Sequence, residues 1–317
     1  MRSDYLEEIT LIITTHNRKK ELLKTLEELN GVISYDQILI CDDASNDGTY
    51  SELSKSFPKI QWIVNATNLG LIASRNRLMK SISTKYVISL DDDAHFLNPE
   101  VINESLDFME IHKDCAILAF RLFWGLDLPK SLTSSEKKKR VRNFVGAGNL
   151  IRLEAWKKSI KYYPEWYIFY GEEDFASLKL FQNNWKIIYY PDVLIHHRVS
   201  VLNRKLSKDH LVRTRRALHA AWSNYLIFYP CKSALLSIAY SFKEQLRLKF
   251  FKGEFKILKP LLFALFDLSR FINKRNRLNC RLTKAQLKSY LRLPAAPIYW
   301  KPEDEKKIKE NTWQSDI

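Results

Sequence analysis

Short apolar runs alternate with amphipathic stretches along the first two-thirds of the chain. Continuous apolar, β-branched runs of this length are typical of strands buried in a sheet. We predict such strands at 9–15, 37–41, 60–64 and 86–90. Between them, leucines recur at helical spacing in 19–29, and 71–81 is also predicted to be helical. Strands that alternate with helices indicate an α/β fold, with a mainly parallel sheet covered on both faces by helices.

The rest of the chain divides into two parts. A glycine-punctuated strand, a helix and a further strand continue the α/β pattern, at 144–152, 170–184 and 186–190. Beyond residue 200 the pattern changes to three helical stretches, at 211–229, 233–250 and 256–273. We therefore predict a catalytic domain over 1–200 and a basic, mainly helical extension over 201–317.

The net charge of +15 is unevenly distributed. Residues 198–317 contain 26 Lys and Arg against 9 Asp and Glu, a net charge of +17, so the preceding part is close to neutral. A basic segment can face nucleic acid, anionic lipid or an acidic substrate. The four cysteines lack metal-binding spacing, which favours a reducing, cytosolic-side location. No window of membrane-spanning length is free of charge and proline.

Carboxylates follow two of the predicted strands. Asp42 and Asp43 end one strand and the triplet Asp91-Asp92-Asp93 ends another, at the edge of the sheet where ligands bind. In an extended backbone Asp91 and Asp93 share one side, with Asp92 turned away. Adjacent carboxylates repel unless a cation balances them, and a divalent metal bridging a diphosphate supplies that balance. A solvated acidic turn is the alternative for the triplet, and an Asx-turn or N-cap is the alternative for Asp42.

Three later features could complete such a site. The acidic run 172–174 stands at a predicted helix start, where it either caps the helix or supplies a general base for an acceptor hydroxyl. The doublet at 196–197 follows a strand, and its imidazoles are either structural or a further metal ligand. Arg75 could pair with a phosphate oxygen, although a surface salt bridge is the commoner role for such an arginine.

Seven motifs, taken in order, resemble the family 2 glycosyltransferases of the GT-A fold. They are TTHNR (14–18), ICDDASNDGT (40–49), NLGLIASRN (68–76), SLDDDA (89–94), GAGNLIR (146–152), YGEED (170–174) and PDVLIHH (191–197). The resemblance covers about residues 8–200 and implies a mixed, mainly parallel GT-A sheet. The C-terminal stretch is similar to that of rhamnosyltransferase-like members, which act on cell-surface polysaccharides.

The resemblance implies roles for the motif residues. The nucleotide sugar would be held by Thr15, Asn17, Arg18, Asp42, Asn68, Arg75 and Asp92. Mg²⁺ or Mn²⁺ would be bound on the diphosphate by Asp91 and Asp93, with His197 or His196 as a further ligand. The base would be Asp174 or Glu173, because this chain has Glu-Glu-Asp where the family motif has one Glu-Asp pair. The implied reaction is inverting transfer of a sugar from a nucleotide-diphosphate sugar to a hydroxyl of a glycan or lipid-linked acceptor.

Three other functions would use some of the same residues. A sugar-phosphate nucleotidyltransferase would show a glycine-rich phosphate loop after the first strand, where this chain has TTHNRKK. A glycoside hydrolase would use two carboxylates and no nucleotide. A nucleic-acid binder would use the basic C-terminal third, but the aromatics there have helical spacing, which favours packing or lipid contact over base stacking. No nucleic-acid partner is therefore expected.

Apolar stripes flanked by Lys and Arg in the three helical stretches indicate helices that lie on an anionic membrane surface. On 211–229 the stripe is Leu211, Leu218, Trp222, Tyr225, Leu226 and Tyr229, with Arg213, Arg215 and Arg216 largely off it. On the next two stretches it is Leu235, Ala239, Phe242 and Leu246, then Ile257, Leu261, Leu265, Leu268 and Ile272. We expect peripheral binding to the cytoplasmic face of the membrane. Packing on the catalytic core, or a homo-oligomer, is the alternative.

Overall fold

The computed structural model describes residues 8–133, 135–167, 169–200, 209–269 and 280–300. The strands are β1 (Ile9–Thr15), β2 (Ile38–Asp42), β3 (Gln61–Val64), β4 (Tyr86–Asp91), β5 (Ala94–Phe96), β6 (Cys115–Trp124), β7 (Lys139–Val141), β8 (Gly148–Arg152), β9 (Lys186–His197) and β10 (Ile298–Trp300). The helices are α1 (Lys19–Glu28), α2 (Thr49–Ser56), α3 (Leu71–Ser81), α4 (Ile102–Ile111), α5 (Leu153–Ser159), α6 (Glu172–Gln182), α7 (His210–Phe228), α8 (Cys231–Leu248), α9 (Leu258–Ser269) and α10 (Lys284–Arg292). Single 3₁₀ turns lie at Tyr35–Gln37, Pro99–Val101, Glu165–Tyr167, Phe250–Lys252 and Phe255–Ile257.

Within these ranges the strands form one sheet, in the order β3-β2-β1-β4-β8-β6-β9-β5, with β7 paired to β9 and β10 paired to β6. The strands from β3 to β4 are parallel to their neighbours. β8 is antiparallel to both β4 and β6, and β9 then runs parallel to β6. The predicted mixed, mainly parallel sheet is therefore confirmed. The carboxyl ends of β1, β2 and β4 meet at one edge, which is the edge that carries the predicted acidic groups.

Helices cover both faces of the sheet, because alternate side chains of each strand point to opposite sides. On β1, Leu11 and Ile13 pack on the face that is covered by Leu22 of α1. Ile12, between them, points to the other face, where Trp156 of α5 also packs. Both faces are thus closed to water, as expected for strands with a nearly continuous apolar run.

The C-terminal helices pack on the catalytic part of the chain. Leu218 and Trp222 of α7 and Leu261 of α9 are buried in the same hydrophobic cluster as Trp156. The prediction that the stripes on 211–229 and 256–273 face a membrane is therefore wrong for these residues, since packing removes them from the surface. Ile272 of the second stripe lies outside the described residues.

Two other expectations concern the extension. Its predicted start falls at 201–208, which the structure does not describe, so the division of the chain at residue 200 stays a prediction. No helix in the described ranges is both long and apolar enough to cross a membrane.

Candidate active site

The carboxylates that follow β4 lie beside the end of β9. β5 runs antiparallel to β9 and pairs Ala94 with His197, so the imidazole stands next to the acidic turn. His197 Nε2 lies 2.9 Å from Oδ1 of Asp93 and 3.6 Å from Oδ2 of Asp91. One ligand atom from each of these three residues lies within 4.8 Å of the other two. The structure therefore contains a candidate metal site of two carboxylates and one imidazole.

The surroundings of His197 fit a metal ligand. Both ring nitrogens are buried, and neither makes a hydrogen bond within the described part of the chain, although Nε2 is close to Asp93. A buried polar atom without a partner costs about 1–3 kcal/mol. A divalent cation on Nε2 would remove that cost and would also balance the two neighbouring carboxylates. Carboxylate oxygens with one imidazole suit Mn²⁺ and Mg²⁺.

His196 does not join this cluster, because successive side chains of a strand point to opposite faces. Its Nε2 lies 3.0 Å from the carbonyl oxygen of Gly125, and its ring packs edge-on against His95. Burial lowers the pKa of His196, which favours the neutral ring. Of the two histidines that the sequence left open, His197 is therefore the one beside the carboxylates.

Asp92, the middle residue of the triplet, is buried and lines the cavity described below together with Asp91 and Asp93, and it is held by residues at the end of β1. Its Oδ2 accepts from Thr15 Oγ1 at 2.9 Å, and its Oδ1 accepts from Arg18 Nε at 2.9 Å. Arg18 also donates to Oδ2 of Asp93, so one guanidinium spans two carboxylates of the triplet. Thr15 and Arg18, both assigned to the nucleotide sugar, thus fix the acidic turn on the end of β1.

The two carboxylates after β2 differ in their surroundings. Asp42 is buried, and its Oδ1 accepts from the backbone N–H of Ser45, three residues on, at 3.0 Å. Oδ1 of Asp43 accepts from the backbone of Leu69 at 2.8 Å, and its Oδ2 accepts from that of Gly70 at 2.8 Å. Asp43 thereby fixes the loop before α3, and it lines the cavity described next, whereas Asp42 does not.

A cavity of about 570 Å³ opens over the acidic turn. From the catalytic part it is lined by Thr15, Arg18, Asp43, Asn68, Asp91 and Asp93 among others. Asn17 lies beside it in a left-handed conformation, with Oδ1 accepting from the backbone of Asn46 at 2.8 Å. The structure therefore brings most of the residues assigned to the nucleotide sugar to one cavity, which has the size of a ligand site.

Arg75 joins the acidic turn to the first turn of α6. Its Nη2 donates to Oδ1 of Asp91 at 2.7 Å, while its Nη1 lies 3.3 Å from Oε1 of Glu172 and 3.5 Å from Oε1 of Glu173. Burial works against the charged guanidinium, but these carboxylates outweigh it and raise the pKa of Arg75. The guanidinium of Arg75 is therefore paired within the chain, and its predicted contact with a donor phosphate stays a prediction. Its contacts hold the carboxylates in place.

Gly146 allows this arrangement. A Cβ at that position would lie 2.6 Å from both Arg75 Nη1 and Glu173 Oε1, so any side chain would displace them. The glycine of the GAGNLIR motif thus leaves room for the guanidinium and the carboxylate to meet.

The three acids at the start of α6 have different surroundings. Glu172 is buried, and burial beside Glu173 raises its pKa to about 8 despite Arg75. Glu173 is partly exposed and belongs to the Arg75 group. Asp174 is exposed to solvent and lies outside the group around Arg75. Of the two candidate bases, Glu173 is therefore the one beside the guanidinium of Arg75, which also contacts Asp91 of the metal cluster.

Two arginines of α7 complete the cavity wall. Arg213 and Arg216 line it together with Phe169, opposite residues that come from the sheet. Arg215 instead forms a bidentate ion pair with Asp267 of α9, with both distances 2.7 Å. The membrane-facing role predicted for the three arginines of this stretch is therefore wrong for Arg215, and two of them belong to the cavity.

The sequence prediction missed Asp43, Glu172 and the two cavity arginines. Asp43 carried a local signal, since the period-2 rule places it on the side opposite Asp42. Glu172 was quoted only as part of the acidic run. Arg213 and Arg216 had no local signal for a site, because their position depends on how α7 packs against residues far away in the chain.

The comparisons with known proteins agree with this geometry. The sequence model of glycosyl transferase family 2 matches residues 10–162. A UDP-Glc:α-D-GlcNAc-diphosphoundecaprenol β-1,3-glucosyltransferase of Escherichia coli, WfaP, is 30% identical over 110 residues, which are 34% of this chain and 43% of that protein. An uncharacterized glycosyltransferase of Haemophilus influenzae is 34% identical over 103 residues, or 32% of this chain and 34% of that protein. The aligned part is thus less than half the length of each relative.

Solved structures show the same fold. TarS 1–349 of S. aureus in complex with UDP-GlcNAc superposes with a TM-score of 0.53 at 17% identity, over 83% of this chain and 81% of that one. The predicted GT-A fold and the predicted resemblance to family 2 glycosyltransferases are confirmed. Residues 10–162, which match the model of glycosyl transferase family 2, form the sheet edge that carries the acidic turn.

Proposed function

We propose that this protein transfers a sugar from a nucleotide-diphosphate sugar to a hydroxyl of a glycan or lipid-linked acceptor, with inversion at the anomeric carbon. One observation carries the proposal. The Asp91-Asp93-His197 cluster and Glu173 are joined through the single guanidinium of Arg75, beside one cavity of ligand size. A leaving diphosphate and an attacking hydroxyl need these two kinds of group on opposite sides of one sugar.

The donor would occupy the cavity over the acidic turn. Thr15, Asp43 and Asn68 offer hydrogen-bonding groups for the nucleoside at its rim. Asp91, Asp93 and His197 would hold Mg²⁺ or Mn²⁺, which supplies charge stabilisation for the diphosphate when bound. A solved structure of a Pyrobaculum calidifontis mannosyltransferase, with GDP-Man and Mn²⁺, shares the fold with a TM-score of 0.52 at 14% identity, over 90% of this chain and 83% of that one. That fold relationship supports a nucleotide sugar and a metal as the ligands to test.

Glu173 is the base in this proposal. Its carboxylate takes the proton of the acceptor hydroxyl while the oxygen bonds to the anomeric carbon, and the bond from that carbon to the diphosphate breaks. A single displacement of this kind inverts the configuration and leaves no covalent bond to the protein. Arg75 orients Glu173, because its Nη1 lies 3.5 Å from Oε1 of that side chain.

The name of one relative supports a lipid-linked acceptor. The matched Escherichia coli enzyme is named for an acceptor carried on diphosphoundecaprenol. We propose an acceptor of that kind here, with cell-surface polysaccharide as the product.

We further propose that the protein works on the cytoplasmic face of a membrane. Seven large apolar side chains on α8, α9 and the turns between them are each more than half exposed. They are Leu235, Leu236, Tyr240, Phe251, Phe255, Leu262 and Phe266, and we call this set the apolar surface. Exposed apolar groups at this density mark an interaction site.

The charge around the apolar surface favours lipid as its partner. Residues 232–259 contain seven Lys and Arg but only two acids, Glu244 and Glu254. Each such cation near an anionic leaflet contributes roughly 1 kcal/mol. A second copy of the chain would carry the same surplus of positive charge and would be repelled.

A donor panel tests the reaction. Purified protein is incubated with UDP-, GDP- and dTDP-sugars, Mn²⁺ or Mg²⁺, and sugar-diphosphate-lipid acceptors. We expect release of nucleoside diphosphate from one donor class and an NMR spectrum of the product that shows inversion. Absence of release from every donor, or retention of configuration, contradicts the proposal.

A further inference from the structure

The cavity over the acidic turn has a wall that does not come from the segment matched by the family. Arg213 and Arg216 lie on α7, three residues apart, and so share one side of that helix. The position of α7 is fixed by burial of Leu218 and Trp222 and by the ion pair of Arg215 with Asp267. The two cavity arginines are therefore held over the site by the packing of the C-terminal helices.

These arginines differ from the other basic side chains of the site. Arg18 is paired with Asp92 and Asp93, and Arg75 is paired with Asp91 and Glu173 and lies 3.3 Å from the carboxyl group of Glu172. Arg213 pairs through its Nε with Asp209, at 2.6 Å, and also hydrogen-bonds with the side chain of Tyr170, but it contacts none of the carboxylates of the acidic turn. Arg216 is half-buried and forms no ion pair or hydrogen bond with the part of the chain that the structure describes.

The balance of charge in the site indicates which ligand Arg213 and Arg216 would bind. A divalent metal is already neutralised by the two carboxylates of Asp91 and Asp93. The two negative charges of a donor diphosphate, and the further charge that appears when it leaves, then require other partners. Arg18 and Arg75 are committed to carboxylates, so the guanidinium groups that remain to meet phosphate are those of α7. Arginine is well suited to this task, because its fork of N–H donors matches phosphate oxygens.

We propose that Arg213 and Arg216 form a phosphate subsite, an inference that rests on the proposed function. The phosphate has two possible sources, since the donor and a lipid-linked acceptor would each carry a diphosphate. In either case the C-terminal helices supply part of the substrate site, in addition to covering the sheet.

Binding of inorganic pyrophosphate tests the subsite without requiring transfer. Calorimetric titration with Mn²⁺-pyrophosphate is performed on the wild-type chain, Arg213→Gln, Arg216→Gln and Arg216→Lys. Arg281→Gln is the matched control, because Arg281 is exposed and is not part of the cavity wall. We expect each Gln variant to bind pyrophosphate about tenfold more weakly, equivalent to about 1.4 kcal/mol. Arg216→Lys, which keeps the charge, should lose less. Melting temperatures close to that of the control establish that the variants are folded.

Two further titrations distinguish the sources. If the donor is bound, the Gln variants weaken binding of UDP or GDP but not of the corresponding nucleoside. If the acceptor is bound, nucleotide affinity is unchanged and KM rises for a GlcNAc-diphospho-prenol but not for an alkyl glycoside of the same sugar. Either result supports the subsite. The phosphate subsite would be overturned if the Gln variants match Arg281→Gln in all of these measurements. It would also be overturned if the wild-type chain binds pyrophosphate no better than the Gln variants. Pyrophosphate binding that depends on both arginines, without nucleotide release from any donor, would keep the subsite and reject the proposed reaction.

Discussion

His197 Nε2 lies 2.9 Å from Oδ1 of Asp93, although a large part of the chain separates the two residues. The pairing of β5 with β9 creates this contact, since it places Ala94 opposite His197. The ring would otherwise be a buried histidine without a hydrogen-bond partner in the described part of the chain. A metal at this point would explain both the burial of the ring and the clustering of like charges.

The first prediction concerns this metal. Asp93→Asn and His197→Gln should each weaken Mn²⁺ binding, measured by calorimetry, by at least tenfold, because each removes one ligand of three. Asp93→Asn should also lower kcat by orders of magnitude, and a chelator should abolish turnover until Mg²⁺ or Mn²⁺ is restored. His196→Gln is the matched comparison, and it should keep the affinity for Mn²⁺. Loss of Mn²⁺ from His196→Gln with retention by His197→Gln would reverse the assignment.

The second prediction identifies the base. Glu173→Gln should leave the affinity for nucleotide nearly unchanged and reduce kcat by roughly 10²–10⁴, which is the usual contribution of a general base. Asp174→Asn should have a much smaller effect, because Asp174 lies outside the group held by Arg75. Single-turnover rates with saturating donor measure both variants. The opposite ranking would identify Asp174 as the base. Wild-type rates in both variants would show that neither acid takes part in catalysis.

The third prediction concerns pH and Glu172. Burial raises the pKa of Glu172 from 4.5 to about 8, so between these values the folded chain holds a proton that the unfolded chain has released. Stability should therefore fall as pH rises through this window. Glu172→Gln removes this titration. The melting temperature of the variant minus that of the wild type should therefore be higher at pH 8.5 than at pH 5. Calorimetric scans at the two pH values give the comparison, and an equal difference at both would show that Glu172 is ionised in the folded state.

The fourth prediction concerns the contact between α6 and α7. Gly171 has a φ of +87°, and a Cβ there would lie 2.6 Å from the Cβ of Ala220. Gly171→Ala should therefore destabilise the chain by about 1–3 kcal/mol, from the strained backbone and the clash together. Gly253→Ala is the control, because Gly253 has a similar φ of +92° but nothing within 4 Å of its Cβ position. Denaturant unfolding should show the larger loss at Gly171, and equal losses would mean that the Ala220 contact contributes nothing.

The fifth prediction concerns the membrane. The protein should co-sediment with vesicles that contain anionic lipid, and less so as salt rises, because salt screens the basic residues. Replacing Leu262 and Phe266 of the apolar surface with serine should weaken this binding. Leu128→Ser is the control, as Leu128 is equally exposed but lies far along the chain from the apolar surface. Equal binding to neutral and anionic vesicles, or binding to neither, would contradict the proposal. Concentration-dependent dimers abolished by the same serines would identify the surface as a contact between copies.

Local patterns predicted the elements that face a well-defined core. The predicted bounds of β1 and α3 coincide with those observed, because both have uninterrupted strand or helix periodicity. The placement of Asp91 and Asp93 on one side of the turn followed from the alternation of strand side chains. These features depend on residues that are near one another in the chain.

Features set by distant packing were not predictable in the same way. The choice between His196 and His197 depends on the register of β5 against β9. β6, near the middle of the sheet, was not predicted, since its ten residues carry no turn signal that separates them from a buried helix. The apolar stripe of α7 fits a membrane and a protein core equally well, and only its packing against α6 and the other C-terminal helices decides between them.

The near contact of Gly171 with Ala220 also limits how this enzyme can be recombined with others. The segment that the family shares ends before the turn that carries Glu173, before His197 and before the two cavity arginines. A chimera joined at that boundary would take Asp91, Asp93 and Arg75 from one parent and Glu173, His197 and the cavity arginines from the other, and a methyl group at Gly171 would collide with Ala220. Exchange of acceptor specificity by grafting should therefore succeed only when the turn before α6 and the helix that covers it are transferred as a single unit.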